Sequence, residues 1–524
     1  MSASFVAKTI SPSGGRLGFL LAMLVISWFA GLALASPFDH DESQYVAGAL
    51  FSTKMLIFRD FLYLQPPLHA WAYAPVAWAF PTTMVIAMRL VTAMTALGTL
   101  AALWAAQRRA GVSRNSATIA TLLIAATAAF QFTASVVRND MLPTLLSSLA
   151  LLLVMAALRR DRLLYWLGAG LLFGLAIATK LNFAPLGLAV GLFAIANRGR
   201  CGLRAAMMLA AGALIGTLPM LAIGAAAPEA FVYGVLQYGA VAPHAWYAAN
   251  GAGDELSLLE KLADLLKYLV RGPALMALLL VALYGFANRR RPPSPERKLP
   301  EHRLIVWMIV GALIGAALPT PTQVQYLMPL LVPLALALGY LLDDAHRWSP
   351  TWRYALLGLL GLAAIPGLWG AARDMTVMLR DGSAVIAATR DARWAGDRVR
   401  AMTGDDEVLT LSPHMVADSG LTIDPRLATG PFVYRTGWTL APDRARLLHT
   451  LTPATLPDLN RDRPDAILVG YEAGTRNLPL RPDDMLTAYA VRNGYRMLTM
   501  PDGIGRLFVW TNLRSDHDQR LEHP

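Results

Sequence analysis

Apolar residues in this chain gather into long unbroken runs, and the length of the runs predicts membrane-spanning helices. About twenty such residues bridge the roughly 30 Å hydrocarbon core of a bilayer. Runs near that length occur at about 17–36, 82–106, 116–135, 140–158, 163–179, 181–197, 204–225, 268–287, 303–319, 323–342 and 353–372, which predicts eleven spans. A further apolar stretch, Pro67 to Phe80, carries Pro66, Pro67, Pro75 and Pro81 in or around it and suits a juxtamembrane or re-entrant helix. Charge supports that choice. If 67–80 does not cross, the basic loops at 108–114, 159–162, 198–204 and 289–303 all fall on the side of the N-terminus, which the positive-inside rule makes cytoplasmic. The loop 37–66, the turn 137–140, the loop 226–267 and everything after about 373 then face outward.

Beyond residue 372 the pattern changes. Ala384 to Met402 is an amphipathic helix candidate, and 407–411, 466–469 and 506–510 are short strand-like runs bounded by turn residues. The chain therefore divides into a membrane domain, 1–372, and an extracytoplasmic α/β domain, 373–524. Composition agrees, with 55% apolar and only 15% charged residues in 524. The net charge of +11 does not point to nucleic acid: residues 373–524 hold 19 Arg, no Lys and 20 Asp or Glu, so the excess lies in the membrane part and sets orientation. The single Cys201 excludes a disulfide framework and a cysteine metal cluster. Ala33-Leu34-Ala35 is cleavage-site-like, but the length of the first run and the charged loop after it predict an uncleaved span.

That charged loop carries the candidate chemistry. Phe38-Asp39-His40-Asp41-Glu42-Ser43-Gln44-Tyr45 places three carboxylates in four residues beside the membrane, where charge is costly. Phe58-Arg59-Asp60-Phe61 and Tyr63-Leu64-Gln65-Pro66-Pro67-Leu68-His69 follow. A carboxylate at such a boundary can act as general base toward a substrate hydroxyl, and Asp41 is the choice for that role, with Glu42 beside it. The competing explanation is that Asp39, Asp41 and Glu42 cap the helix beginning near Ser43.

The motif Asp41-Glu42-x-x-Tyr45 after the first span, with Arg59-Asp60-Phe61 and a Pro-Pro-Leu turn, resembles the first outer loop of the membrane-embedded GT-C glycosyltransferases. The branch it is most similar to contains protein O-mannosyltransferases and lipid A aminoarabinose transferases. Arg138-Asn139-Asp140, Ala178-Thr179-Lys180 and Gln325-Tyr326-Leu327-Met328-Pro329 fall at family-like positions. The resemblance implies a GT-C-type polytopic helical fold, a sugar donor linked to a polyprenyl phosphate, a lipid, polysaccharide or protein acceptor, inversion at the anomeric carbon, and a site in the outer compartment of a bacterial inner membrane. A lipid monophosphate leaving group calls for cations and hydrogen-bond donors rather than a divalent metal, so no cofactor is expected. Arg59, Arg138, Lys180, Lys267 and Arg271 could supply the charge, with Gln65, Gln325 and Tyr326 alongside. Asp39, His40, Tyr45, Asp60, Tyr63, His69, Asp140 and His244 are the candidates for acceptor or sugar.

Each cation has a plainer explanation. Arg59 could pair with Asp60 or Glu42, Lys180, Lys267 and Arg271 could snorkel at helix ends, and Arg138, between two apolar spans, could be an interfacial anchor. His40, His69 and Asp39 lack metal-ligand spacing. Two departures from the family stand out: Gln65 occupies the place of a lysine before the turn proline, and Gln323 and Gln325 lie near Tyr326 where relatives carry Lys or Arg. A secondary transporter and an O-antigen ligase or polymerase are the rival functions. Transporters show repeated halves and interrupted midplane helices, whereas here the charges cluster at one face.

Overall fold

The computed structural model describes residues 12–160, 162–288, 301–472 and 481–511. The arginine-rich stretch 289–300 expected on the cytoplasmic side lies outside them. Every predicted apolar run is helical over most of its length. Six helices are long and apolar enough to cross a membrane alone, including Met84–Arg109, Met141–Arg160, Leu203–Ala226 and Pro350–Asp381. Two more runs pass only as bent pairs, Arg114–Ala125 with Ala128–Ser135 at 70° and Leu258–Leu269 with Ala274–Ala287 at 92°. By length and composition the described residues thus supply six crossings, or up to eight, with Leu163–Thr179 and Leu181–Ala196 apolar but shorter.

The two bends lock together. The Ala128 N–H donates to the Arg271 carbonyl at 2.9 Å, and Gly272, with φ of 124°, abuts Thr127, where a Cβ would stand 2.8 Å from the Thr127 Cα. Thr127 caps the second half of its own pair through the Phe130 N–H. Elsewhere small residues bring helices close: a Cβ on Gly170 or Gly212 would meet backbone carbonyls of the Leu203–Ala226 and Leu163–Thr179 helices respectively at 2.0 and 2.1 Å.

The stretch 67–80 forms a twelve-residue helix, Leu68–Ala79, too short to span. Loop 226–267 is largely helical, with Pro228–Val232, a π-helical turn Tyr233–Gln237, Tyr238–Ala249 and the amphipathic Leu258–Leu269. The last long helix runs to Asp381 and ends at Gly382.

The C-terminal domain opens with the helix Ala384–Thr403, capped by Ser383, and contains a five-stranded sheet. Its strands are β1 (Glu407–Thr410), β2 (Thr422–Ile423), β3 (Ala466–Val469), β4 (Arg496–Thr499) and β5 (Arg506–Val509), ordered β2-β1-β3-β5-β4. β1 pairs in parallel with β2 and β3, and β5 antiparallel with β3 and β4. This domain is pinned to the helical bundle beside the acidic loop. Asp418 accepts from the Met84 N–H at 2.6 Å, giving the Met84–Arg109 helix an N-terminal carboxylate from another domain. Ser43 Oγ meets His414 Nδ1 at 3.0 Å, and Arg393 donates to the Thr82 carbonyl at 2.8 Å.

Candidate active site

The acidic loop is held by a buried arginine. Arg89, wholly buried inside the Met84–Arg109 helix, donates to Glu42 at 2.9 and 2.5 Å and to the carbonyl of Ser36 at 2.7 Å. Glu42 also accepts the N–H of Val137 at 2.8 Å and of Asp39 at 3.0 Å. One carboxylate therefore ties the loop to the turn carrying Arg138, and its charge is matched within the protein.

On the other side of that bracket Arg138 gathers three acids. It donates to Asp39, to Asp41 at 2.6 Å and to Asp140 at 3.3 Å. Asp140 is shared with Lys180, whose Nζ lies 2.5 Å away. Tyr45 donates to Asn139 at 2.9 Å, and Asn139 donates in turn to Gln65 at 3.0 Å and to the Thr179 carbonyl. Asp41 does begin the Glu42–Phe51 helix, but its side chain makes no capping bond. Burial works to raise Asp41, and the Arg138 guanidinium together with His40 overrides it, holding the carboxyl below its ordinary value. For Asp39 burial wins over Arg138, and the neighbouring Asp41 and Glu42 add to it, pushing the group up to about 6.

These groups open onto a cavity of about 920 Å³. Of the residues singled out in the sequence, Asp39, His40, Asp41, Tyr45, Gln65, Arg138, Lys180, His244, Gln325 and Tyr326 line it. Asp140 stands behind Arg138 and Lys180. The others are placed elsewhere. Glu42 is committed to Arg89; Arg59 and Asp60 form an exposed pair at 2.8 Å; Tyr63 is packed beneath Gly48. His69 lies between Tyr45 and Tyr73, its ring stacked on Tyr73 at 4.3 Å. Arg271 lies against Tyr268 at the bend, and Lys267 pairs with Asp264.

Residues 64–223 match the family model described as dolichyl-phosphate-mannose-protein mannosyltransferase. Over 95% of its length the chain superposes on 98% of ArnT from Cupriavidus metallidurans, solved bound to undecaprenyl phosphate and in the apo state. The TM-score is 0.58 in both cases, at 15% and 14% sequence identity. The chain has a GT-C fold. The S. cerevisiae protein O-mannosyltransferase Pmt1–Pmt2 complex, solved with its sugar donor, overlaps 44% of the chain and 34% of its own at 18% identity and a TM-score of 0.33. No curated protein matches the sequence.

Within this GT-C fold the cavity contains residues that sequence patterns did not flag. Asn182 and Gln44 line it, and both amide atoms of Asn182 and the Gln44 carbonyl oxygen are buried without a hydrogen-bond partner in the protein. Unpartnered buried amides at a cavity wall suit a polyhydroxylated ligand, which offers donors and acceptors together. Phe432 and Arg435 reach the cavity from the C-terminal domain. Gly430 permits this: its φ of 59° and its approach to Ser43, where a Cβ would stand 2.7 Å from the Ser43 Cβ, leave no room for a side chain. Arg89 did carry a signal, being a lone charge inside an apolar run.

Proposed function

We propose that this protein is an inverting glycosyltransferase that moves a sugar from a polyprenyl-phosphate carrier to an acceptor hydroxyl at the outer face of the membrane. The observation that carries this reading is the Asp39–Asp41 pair clamped on Arg138 at the wall of the large cavity. The GT-C fold, the lipid-phosphate mannose donor named in the family description and the undecaprenyl phosphate bound by ArnT support the carrier. Apolar wall residues such as Phe132, Val235 and Leu318 are suited to a prenyl chain.

In the proposed reaction the acceptor oxygen attacks the anomeric carbon from the face opposite the phosphate. The acceptor proton passes to the aspartate pair, with Asp41 as the base. The bond between the anomeric carbon and the phosphate oxygen breaks, its electrons staying on the phosphate, which departs as polyprenyl monophosphate. Arg138 keeps the carboxylates ionised and aimed. Asp41→Asn retains shape and loses basicity, so transfer by the purified variant should fall on the order of a hundredfold or more with donor binding retained. Turnover equal to wild type removes Asp41 as the base.

A further inference from the structure

The cations Arg138 and Lys180 are already ion-paired. Arg138 is held by Asp39, Asp41 and Asp140, and Lys180 by Asp140, so two cations face three carboxylates. A cluster with net negative charge repels a phosphate, and breaking its ion pairs to admit one would strand buried carboxylates. The phosphate needs a cation elsewhere on the wall.

Arg435 is that cation. Among the described residues it is the third Lys or Arg lining the cavity. Its guanidinium lies over the rings of Trp246 at 4.9 Å and Phe432 at 4.8 Å, and its Nε is buried without a hydrogen-bond partner. Cation–π contact with two rings restrains a guanidinium without using up its N–H donors. Asp41 and Glu472 lie within its electrostatic reach without forming an ion pair with it. An arginine held against two rings with an unmet donor at a cavity wall can present its N–H groups to two oxygens of a phosphate.

Building on the glycosyltransfer reading, we propose that Arg435, supplied by the C-terminal domain, binds the phosphate of the lipid carrier and stabilises the charge that grows on it as the glycosidic bond breaks. The soluble domain is then part of the donor site and not only a cover. Gly430 and the His414–Ser43 contact hold the segment in place for this role.

The test measures binding of undecaprenyl monophosphate, undecaprenol and inorganic phosphate to the full-length protein in nanodiscs. Arg435→Ala and Arg435→Gln should weaken undecaprenyl monophosphate by roughly tenfold to a hundredfold, the range for losing hydrogen bonds to a charged group, with Arg435→Lys between them and wild type. Undecaprenol should be unaffected, and thermal unfolding of the variants measured in parallel should stay close to wild type. Folded Ala and Gln variants that bind the lipid phosphate as wild type does overturn the assignment, as does a variant that loses only unfolding temperature. Inorganic phosphate binding as tightly as the lipid would make Arg435 a general anion site and overturn its assignment to the carrier. Failure of the wild type to bind undecaprenyl monophosphate would instead overturn the glycosyltransfer reading on which the proposal rests.

Discussion

Replacing Glu42 by Gln separates a structural role for this acid from a chemical one. Glu42 and Arg89 are both 0% exposed, so the substitution leaves a buried guanidinium without its counter-charge. Removing one partner of a buried pair costs about 3–5 kcal/mol. The carboxylate also accepts the Val137 and Asp39 N–H groups, and the amide turns one of its two acceptor atoms into a donor, adding about 1–3 kcal/mol for a stranded buried donor. The variant should therefore unfold about 4 kcal/mol or more below wild type, and its transfer rate should fall because Asp39 and the Arg138 turn lose their shared anchor. The paired variant Glu42→Leu/Arg89→Met removes both charges and should recover the part of the loss that comes from the unpaired guanidinium, but it should stay below wild type and inactive, since neither N–H regains its acceptor. Unfolding in detergent micelles and transfer by the same preparations give both quantities. A Glu42→Gln protein within about 1 kcal/mol of wild type refutes the bracket. If that protein were also inactive, Glu42 would return to the chemistry.

The acid limb of the pH–rate profile should fall near 6, because Asp39 is pushed up to about 6 and the pair must lose its proton to act as base; activity is lost as pH drops through that value, and Asp39→Asn should move or abolish the limb, whereas an unchanged limb assigns it to another group. Arg138→Lys should recover only part of the activity of Arg138→Ala, since one ammonium cannot reproduce a fork that holds Asp39, Asp41 and Asp140 together; full recovery would make Arg138 an interfacial anchor. Transfer should survive excess EDTA, and complete, metal-reversible loss would show a catalytic cation.

The helices were readable because lipid imposes long apolar runs, and the strands β1, β3 and β5 because buried strands are apolar between turns. The two bends were not. The break at 125–128 carries no proline, and it forms because its freed Ala128 N–H finds the Arg271 carbonyl of a segment more than a hundred residues away. The strand β2 has two residues and β4 is mostly exposed, so neither leaves a pattern. In the site, Asp39, Asp41, Arg138 and Lys180 were visible as charges next to apolar runs. Arg59 looked equivalent in sequence, with Asp60 and Glu42 both possible partners, and the fold pairs it with Asp60 at the surface, away from the cavity. Asn182 and Arg435 carry no local signal: an amide after a helix end and one arginine among the 19 of residues 373–524 become site residues only through long-range packing.

The most direct test of polyprenyl-phosphate-dependent transfer is phosphorus NMR on the purified protein in nanodiscs, supplied with lipid-linked sugars and an envelope extract as acceptor. Polyprenyl phosphodiester signal should be replaced by polyprenyl monophosphate in step with glycosylated product, and the Asp39→Asn/Asp41→Asn double variant should leave the phosphodiester unchanged. Product formed without release of monophosphate, or release at the wild-type rate by the double variant, would contradict it.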